Sequence, residues 1–296
     1  PISIFKKLEL LSVPKKEIIR TVHSSSTTNT LPSVINLDSV TVKRQIIALN
    51  SIIKNYFGND KQSFLIIDQD TVIQTNNLEL SSRGSAIRGM LGFSKDFHFL
   101  LNEKLVIDRN KIIEALTKID KKKTCVFGFT WLIYRSMKDN KDIKKLFNSL
   151  ENPYILHIGG WKKLSDVSID KNDYNKMVSE FFNTKPENVI DFYGMTEQLG
   201  IVYPDCSAGY KHIPIFAEIL IRDIHEQKCL TAKKTGFIQI LSPIPNSYPG
   251  ISILTDDIGE IIGEDDCPCG RKGKYFRFTK RSEMADAKGC GDTLAI

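Results

Sequence analysis

Short apolar runs and amphipathic helical stripes take turns through the first two thirds of this chain, and that alternation limits its fold more than any other feature. Asp38 or Ser39 can cap a helix whose apolar face reads Val42, Ile46, Leu49, Ile53 and Tyr56, with Gly58 ending it. Phe64-Leu65-Ile66-Ile67 reads as a short buried strand. Ile112, Ile113, Leu116 and Ile119 form a helical stripe, followed by a strand at Cys125-Val126-Phe127. Helical stretches around Trp131–Met137 and Ile143–Leu150 come next, then a strand at Tyr154–Ile158 broken by Gly159-Gly160. A helix through Tyr174, Met177, Val178 and Phe181 and a strand at Val189–Phe192 complete the series. The pattern predicts an α/β protein with a largely parallel sheet covered by helices. Beyond Gly200–Gly209 the character changes. Ala217–Ile221, Gly236–Leu241, Ile251–Leu254, Glu260–Ile262 and Tyr275–Phe278 read as short strands separated by Gly, Pro and Asp turns. The predicted division is an α/β body over residues 1–200 and a β-rich subdomain with a C-terminal tail over 201–296.

With 296 residues and 41% hydrophobic content the chain can bury a large core. Its longest run without a charge or a break, roughly Thr124–Tyr134, is too short for a membrane span of ~20 apolar residues. Pro1–Lys7 lacks a Met and the layout of a signal peptide, so the sequence is expected to begin inside a longer protein. The net charge of +6 is carried partly by Lys121–Lys123, Lys141, Lys144, Lys145, Lys162 and Lys163. These lysines form no basic stripe with interleaved aromatics, which argues against a nucleic-acid module; they suit solvated helix ends or attraction of an anionic substrate. Six cysteines in a chain of this length are no disulfide framework. A reducing cytoplasm is expected, with each cysteine serving as core filler, metal ligand or nucleophile.

Ligands of open α/β sheets bind beyond the carboxyl ends of the strands. Three strand ends carry unusual residues here: Gly128-Phe129-Thr130, Gly159-Gly160-Trp161 and Tyr193–Glu197. In Tyr193-Gly194-Met195-Thr196-Glu197 a hydroxyl and a carboxylate stand side by side after a strand, suited to a phosphate oxygen and to Mg²⁺; an ordinary loop is the alternative. The run Ser24–Thr30 offers hydroxyls and close backbone N–H groups to a triphosphate, or is a surface loop. Thr255-Asp256-Asp257 can present a carboxylate to ribose hydroxyls, or is a β-turn. Cys206-x5-His212 with Cys267-x-Cys269 matches the ligand set of a closed zinc site, with Cys-Pro-Cys-Gly-Arg as a plain turn the alternative. His157 reads as a satisfied strand-end histidine or a substrate-site residue. Cys125 and Cys229 read as packing residues. Trp131, Phe127 and Phe129 suit either an acyl tunnel or the core.

Taken in order, these motifs resemble the adenylate-forming superfamily, and within it the acyl-protein synthetases of bacterial bioluminescence fatty-acid reductase complexes. The resemblance rests on Phe5-Lys6, His157-Ile158-Gly159-Gly160-Trp161-Lys162-Lys163-Leu164, Phe192–Gly200, Cys267-Pro268-Cys269-Gly270-Arg271 and Lys288-Gly289-Cys290-Gly291-Asp292-Thr293. The phenylacetate–CoA ligase group is the next most similar, and carries similar cysteines. The resemblance implies the large domain of that superfamily, with helix-covered, largely parallel sheets and a β-rich C-terminal subdomain. Because the sequence stops ~15 residues after Arg281, it also implies no small lid domain. It implies that Ser24, Ser25, Ser26, Thr27 and Thr28 line the triphosphate of ATP, and that Gly159, Gly160 and Trp161 lie along the adenine. Tyr193, followed by Gly194 and Met195, would stack on the base. Thr196 would meet the α-phosphate, Glu197 would hold Mg²⁺, Asp257 (or Asp256) would bind the ribose, and Arg281 would be the hinge-proximal arginine. The implied reaction joins a carboxylic acid to AMP and moves the acyl group to a thiol. Cys290 between two glycines is the candidate acceptor, with Lys288 close in sequence to favour its thiolate. Coenzyme A, a carrier protein and an acyl-reductase are the alternative acceptors and partners. Ser26 and Asn29, where the superfamily carries glycines, favour a rival of another class, a binding module without turnover. A scaffold within a larger acyl-reductase or polysaccharide-modifying complex is the third reading.

Overall fold

Thr124–Phe129 is buried at all six positions, as expected of a strand covered on both faces and paired on both sides. The computed structural model describes residues 1–24, 31–74, 79–160 and 169–282. In chain order its elements are α1 (Ile4–Lys7), β1 (Ile18–His23), β2 (Val34–Asp38), α2 (Ser39–Phe57), β3 (Gln62–Ile67), β4 (Glu79–Ser81), α3 (Ser82–Leu91) and β5 (Ser94–Phe99). There follow α4 (Arg109–Lys118), β6 (Thr124–Phe129), α5 (Thr130–Lys138), α6 (Lys144–Phe147), β7 (Tyr154–Ile158), α7 (Lys171–Phe182) and β8 (Val189–Tyr193). The last are β9 (Tyr203–Pro204), β10 (Lys211–His212), β11 (Glu218–Asp223), β12 (Lys228–Cys229), β13 (Gly236–Leu241), β14 (Ser252–Glu264) and β15 (Lys274–Arg281). They fall into two compact units: Pro1–Tyr56 with Thr75–Ser82 and Tyr193–Ile296, and Phe57–Gln74 with Arg83–Phe192.

The second unit is built on parallel strands in the order β5-β3-β6-β7-β8. The strands predicted at Phe64–Ile67, Cys125–Phe127, Tyr154–Ile158 and Val189–Phe192 all lie in it. Its helices start where the sequence supplies caps. Asp108 accepts from the N–H groups of Asn110 and Lys111 to open α4, and Asp170 accepts from Asn172 to open α7. Asn183, in the left-handed region at φ +56°, closes α7.

The first unit contains an antiparallel sheet, β10-β15-β14-β13-β11-β12, and a small sheet, β2-β1-β4. The strands predicted at Ala217–Ile221, Gly236–Leu241 and Tyr275–Phe278 correspond to β11, β13 and β15. The two predicted at Ile251–Leu254 and Glu260–Ile262 are instead a single strand, β14, with register shifts at Ile258/Gly259 and Ile261/Gly263. Asp256-Asp257 therefore lies within a strand and not in a turn. The bulges absorb the glycines that read as turn residues.

Helix α2 is also rotated from expectation. Its buried positions are Thr41, Gln45, Ala48, Ile52 and Ile53, while Ile46 and Ile47 are more than half exposed. The cause is a close approach. Gly200, at φ +87°, lies so near the helix that a Cβ there would stand 2.5 Å from Gln45 Cα and 2.8 Å from its carbonyl oxygen. Only a face of small and polar residues allows that contact. Gly200→Ala combines an unfavourable backbone conformation with overlap against backbone atoms, and is expected to cost about 3 kcal/mol. A urea midpoint equal to the wild type would show the contact to be slack. Among the described residues, no helix is long and apolar enough to cross a membrane.

Candidate active site and metal centre

In the first unit Tyr193 leads into a single 3-10 turn, Thr196–Gln198, all three residues of which are buried. The Tyr248 hydroxyl donates to the Glu197 carbonyl at 2.9 Å, and the Gln198 amide donates to the Gly250 carbonyl. Tyr248 in turn packs edge-on against Phe5 at 5.9 Å, and the Ile2 N–H donates to Leu254 O at 2.8 Å. These contacts seat α1 against the same turn and bring Lys6 within electrostatic reach of Glu197. Burial pushes the Glu197 carboxyl above its usual pKa; hydrogen bonding by the Ser33 side chain and the Glu197 backbone, and then the positive charges of Arg281 and Lys6, pull against that rise.

Asp257 lies beside this turn and is gripped twice. Its Oδ2 accepts from the Tyr193 hydroxyl at 2.9 Å and its Oδ1 from Arg281 Nε at 3.0 Å. The second contact follows from sheet register, since Asp257 of β14 stands opposite Arg281 of β15. Thr255 completes the anchorage by accepting from the Asp257 N–H at 3.1 Å and donating to Ile238 O at 2.7 Å. The Tyr193 ring stacks on Phe278 at 5.4 Å and meets Phe276 and Tyr203. Burial first, then the Asp257 carboxylate, raises its hydroxyl well above the ordinary tyrosine range.

Ser24 is tied to Ser33: its Oγ accepts from the Ser33 N–H at 2.7 Å and its own N–H donates to Ser33 O at 3.0 Å. Ser25, Ser26, Thr27, Thr28, Trp161 and Cys290 lie outside the described residues. Gly159 and Gly160 follow β7 in the second unit. Gly159 has φ +85°, and Gly160 has open space where a Cβ would stand. His157, near the end of β7, has its Nδ1 2.9 Å from the Thr130 hydroxyl. Phe127, Phe129 and Trp131 are core residues, as is Cys125, but Cys229 is exposed on β12 rather than packed. Residue-by-residue reading passed over Lys6 and Tyr248. The pair Phe5-Lys6 contained the signal, a buried aromatic next to a cation, but its partner is more than two hundred residues away.

Cys206, His212, Cys267 and Cys269 gather in the same unit, with their ligand atoms all within 4.8 Å of one another. Cys206 Sγ is 3.9 Å from Cys267 Sγ, and Cys269 Sγ is 3.2 Å from His212 Nε2. Two sulfurs in a disulfide stand about 2.05 Å apart, whereas sulfurs bound about 2.3 Å from one tetrahedral zinc stand about 3.8 Å apart. The donor set and its spacing therefore fit a metal rather than a cystine. Burial raises the Cys206 and Cys267 thiols, the latter to about 12. A buried pair, Lys211 and Asp205 at 3.1 Å, flanks the cluster. Arg271 extends from it over the Tyr56 ring, 3.9 Å from the centroid, and bonds the Asn55 carbonyl at the end of α2.

The fold is that of adenylate-forming ligases. A 2-hydroxyisobutyryl-CoA ligase in complex with 2-HIB-AMP and CoA superposes with a TM-score of 0.63 at 14% identity, covering 95% of this chain and 60% of that one. ATP-bound MatB from Rhodopseudomonas palustris gives 0.58 at 14% identity (91% and 49%), and the amide bond synthetase McbA from Marinactinospora thermotolerans gives 0.57 at 17% (90% and 49%). This chain thus spans about half the length of those last two proteins. The family model for acyl-protein synthetase, LuxE, matches residues 1–296, and the chain belongs to that family of ligases. Two long-chain-fatty-acid–luciferin-component ligases are similar over the whole chain: one from Vibrio harveyi at 26% identity, of which it covers 76%, and one from Aliivibrio fischeri at 27%, of which it covers 77%.

Proposed function

We propose that this chain activates a long-chain fatty acid with ATP and passes the acyl group to a thiol. The observation that carries the reading is the buried Thr196–Glu197 turn, faced by the charges of Lys6 and Arg281, in a chain that matches the acyl-protein synthetase family from end to end. The substrate class is that in the names of the two bacterial relatives. A carboxylate oxygen attacks the α-phosphorus, the bond to the β-phosphate oxygen breaks, and pyrophosphate leaves. A thiolate then attacks the acyl carbon and AMP departs with the C–O electrons. In this reading Ser24 to Thr28 line the triphosphate, Gly159, Gly160 and Trp161 lie along the base, and Tyr193, followed by Gly194 and Met195, stacks on it. Thr196 donates to the α-phosphate and Asp257 accepts from the ribose. Glu197 would hold Mg²⁺, which neutralises phosphate charge when bound. Lys6 and Arg281 supply fixed positive charge where the α-phosphate gathers negative charge. Lys6→Ala is expected to reduce kcat/KM for ATP by about tenfold to a hundredfold, with Lys6→Arg recovering part of it. Unchanged kinetics would remove Lys6 from the site.

Cys290 is the thiol we assign as acceptor. The second reading is direct transfer to coenzyme A or a carrier thiol, suggested by the CoA bound to the hydroxyisobutyryl-CoA ligase. A pyrophosphate-release screen across carboxylic acids tests the first half-reaction, and no acid-dependent release would sink it. Labelled fatty acid retained by Cys290→Ser protein would rule out the Cys290 relay. We also infer a structural zinc at Cys206, His212, Cys267 and Cys269. The described cysteines are all free, which suits a reducing cytoplasm.

A further inference from the structure

The carboxyl ends of β6 and β7 carry a buried hydrogen-bonded group with no role in the chemistry above. Thr130, the first residue of α5, places its Oγ1 2.9 Å from His157 Nδ1, 2.7 Å from Gly159 O and 3.4 Å from Ile158 O. A hydroxyl has one proton, and carbonyl oxygens only accept. The Thr130 proton therefore goes to the nearer carbonyl, that of Gly159. The hydroxyl oxygen must then accept from His157, which carries a proton on Nδ1 in either charge state. The chain of donation runs imidazole to hydroxyl to carbonyl, each link polarising the next. Both side chains are almost fully buried, Thr130 at 4% and His157 at 5% exposure. Tyr174 braces the pair from α7: its ring meets the imidazole at 5.0 Å and its hydroxyl donates to Thr130 O at 3.4 Å. Asp191 of β8 stands 3.7 Å from His157 Nδ1. The carbonyl so held belongs to a residue at φ +85°, where glycine is at home and where neighbouring peptide planes have few other restraints.

We propose that Thr130 and His157 are positioning residues that lock the Gly159 carbonyl and so set the Gly159-Gly160 turn for the adenine of ATP. This rests on the nucleotide role given to that turn above. Neither side chain touches the reacting atoms, so the pair acts on nucleotide affinity and leaves the chemical step alone. Removing the hydroxyl takes away the group that links the buried imidazole to the part-buried Gly159 carbonyl and frees the turn.

The test compares wild type with Thr130→Val, Thr130→Ser, His157→Leu and His157→Asn in the pyrophosphate-release assay, using a long-chain fatty acid. Thr130→Val and His157→Leu are expected to raise KM for ATP about tenfold with kcat within about twofold. Thr130→Ser keeps the hydroxyl and His157→Asn keeps an N–H donor; both are expected to stay within about threefold of wild type. A general loss of packing would lower kcat and stability without this split, and would overturn the proposal. So would an unchanged KM in Thr130→Val. Should Thr130→Val fail to fold, nitrogen-15 spectra of the wild-type imidazole decide: Nδ1 protonated is expected, and a neutral ring protonated on Nε2 overturns the pair. Wild-type protein that releases no pyrophosphate refutes the acid-activation reading separately. ATP dissociation constants for wild type and Thr130→Val then decide this one, with a weaker constant expected in the variant and equal constants, or no binding by either, overturning it.

Discussion

Protein purified without chelators is expected to carry one zinc per chain, and Cys269→Ser or a strong chelator is expected to remove it together with much of the fold's stability. A metal held by three thiolates and an imidazole contributes on the order of 10 kcal/mol when the site exists only in the folded state. The four ligands here come from segments far apart in sequence, Cys206 and His212 on one side and Cys267 and Cys269 on the other, so the unfolded chain has no such site. Without the ion, three thiols and a ring nitrogen are packed into one buried cluster whose only mutual bonds involve weak sulfur donors. A fall in melting temperature of well over ~10 °C follows for a unit of this size. Metal analysis with no stoichiometric zinc, or a melting curve indifferent to chelator, would show the cluster to be a thiol pocket only.

Glu197→Gln is expected to lower acid-dependent pyrophosphate release by about a hundredfold to a thousandfold while leaving the fold intact. Gln is nearly isosteric and can keep the turn, but it cannot supply the negative charge that the proposed ion needs. Stability should move the other way. Burial raises the Glu197 pKa in the folded state above the ordinary value of 4.5, so the folded protein binds a proton more readily than the unfolded chain. That contribution is fully present at pH below 4.5 and is lost as pH rises through the raised value. At neutral pH the wild type therefore bears the cost of a buried carboxylate that the amide avoids, and Glu197→Gln should melt at the same temperature or higher. Its advantage should shrink on acidification. A variant that melts markedly lower at neutral pH would mean that Glu197 is a structural anion, and full activity would remove it from the site.

The strands of the parallel sheet were legible because a strand covered on both faces is largely apolar, and Cys125–Phe129, Phe64–Ile67 and Tyr154–Leu156 are written that way. The small sheet of β1, β2 and β4 was missed because Arg20, Thr21, Asn36 and Glu79 interrupt its apolar residues; Thr21 donates to Asn36 Oδ1 at 2.7 Å between β1 and β2, a pairing that apolarity does not mark. The α2 face was misjudged for a related reason. Apolarity marks what can be buried, whereas Gly200 determines what fits, and it selects Thr41, Gln45 and Ala48 over Ile46. The Tyr193–Glu197 motif and the four metal-ligand candidates stood out by residue type and spacing. The grip of Tyr193 and Arg281 on Asp257 did not, since it depends on cross-strand register that no linear spacing records. Nor did the placing of Lys6, which depends on a ring contact between opposite ends of the sequence.

β14 and β15 join the metal cluster to the nucleotide-site candidates like the two rails of a ladder. At one end Tyr275 packs on Cys206 and Cys267; at the other Arg281 stands across from Asp257. Side chains along a strand alternate faces with a period of two. A single residue inserted or deleted within β15, between Tyr275 and Arg281, and not taken up by a bulge would turn the guanidinium to the far face of the sheet, whereas two residues would restore its facing at a shifted rung. Changes of length are thus expected to fall in residues 270–273, before β15 begins, rather than between Tyr275 and Arg281, where they would uncouple the metal cluster from the Asp257–Arg281 pair.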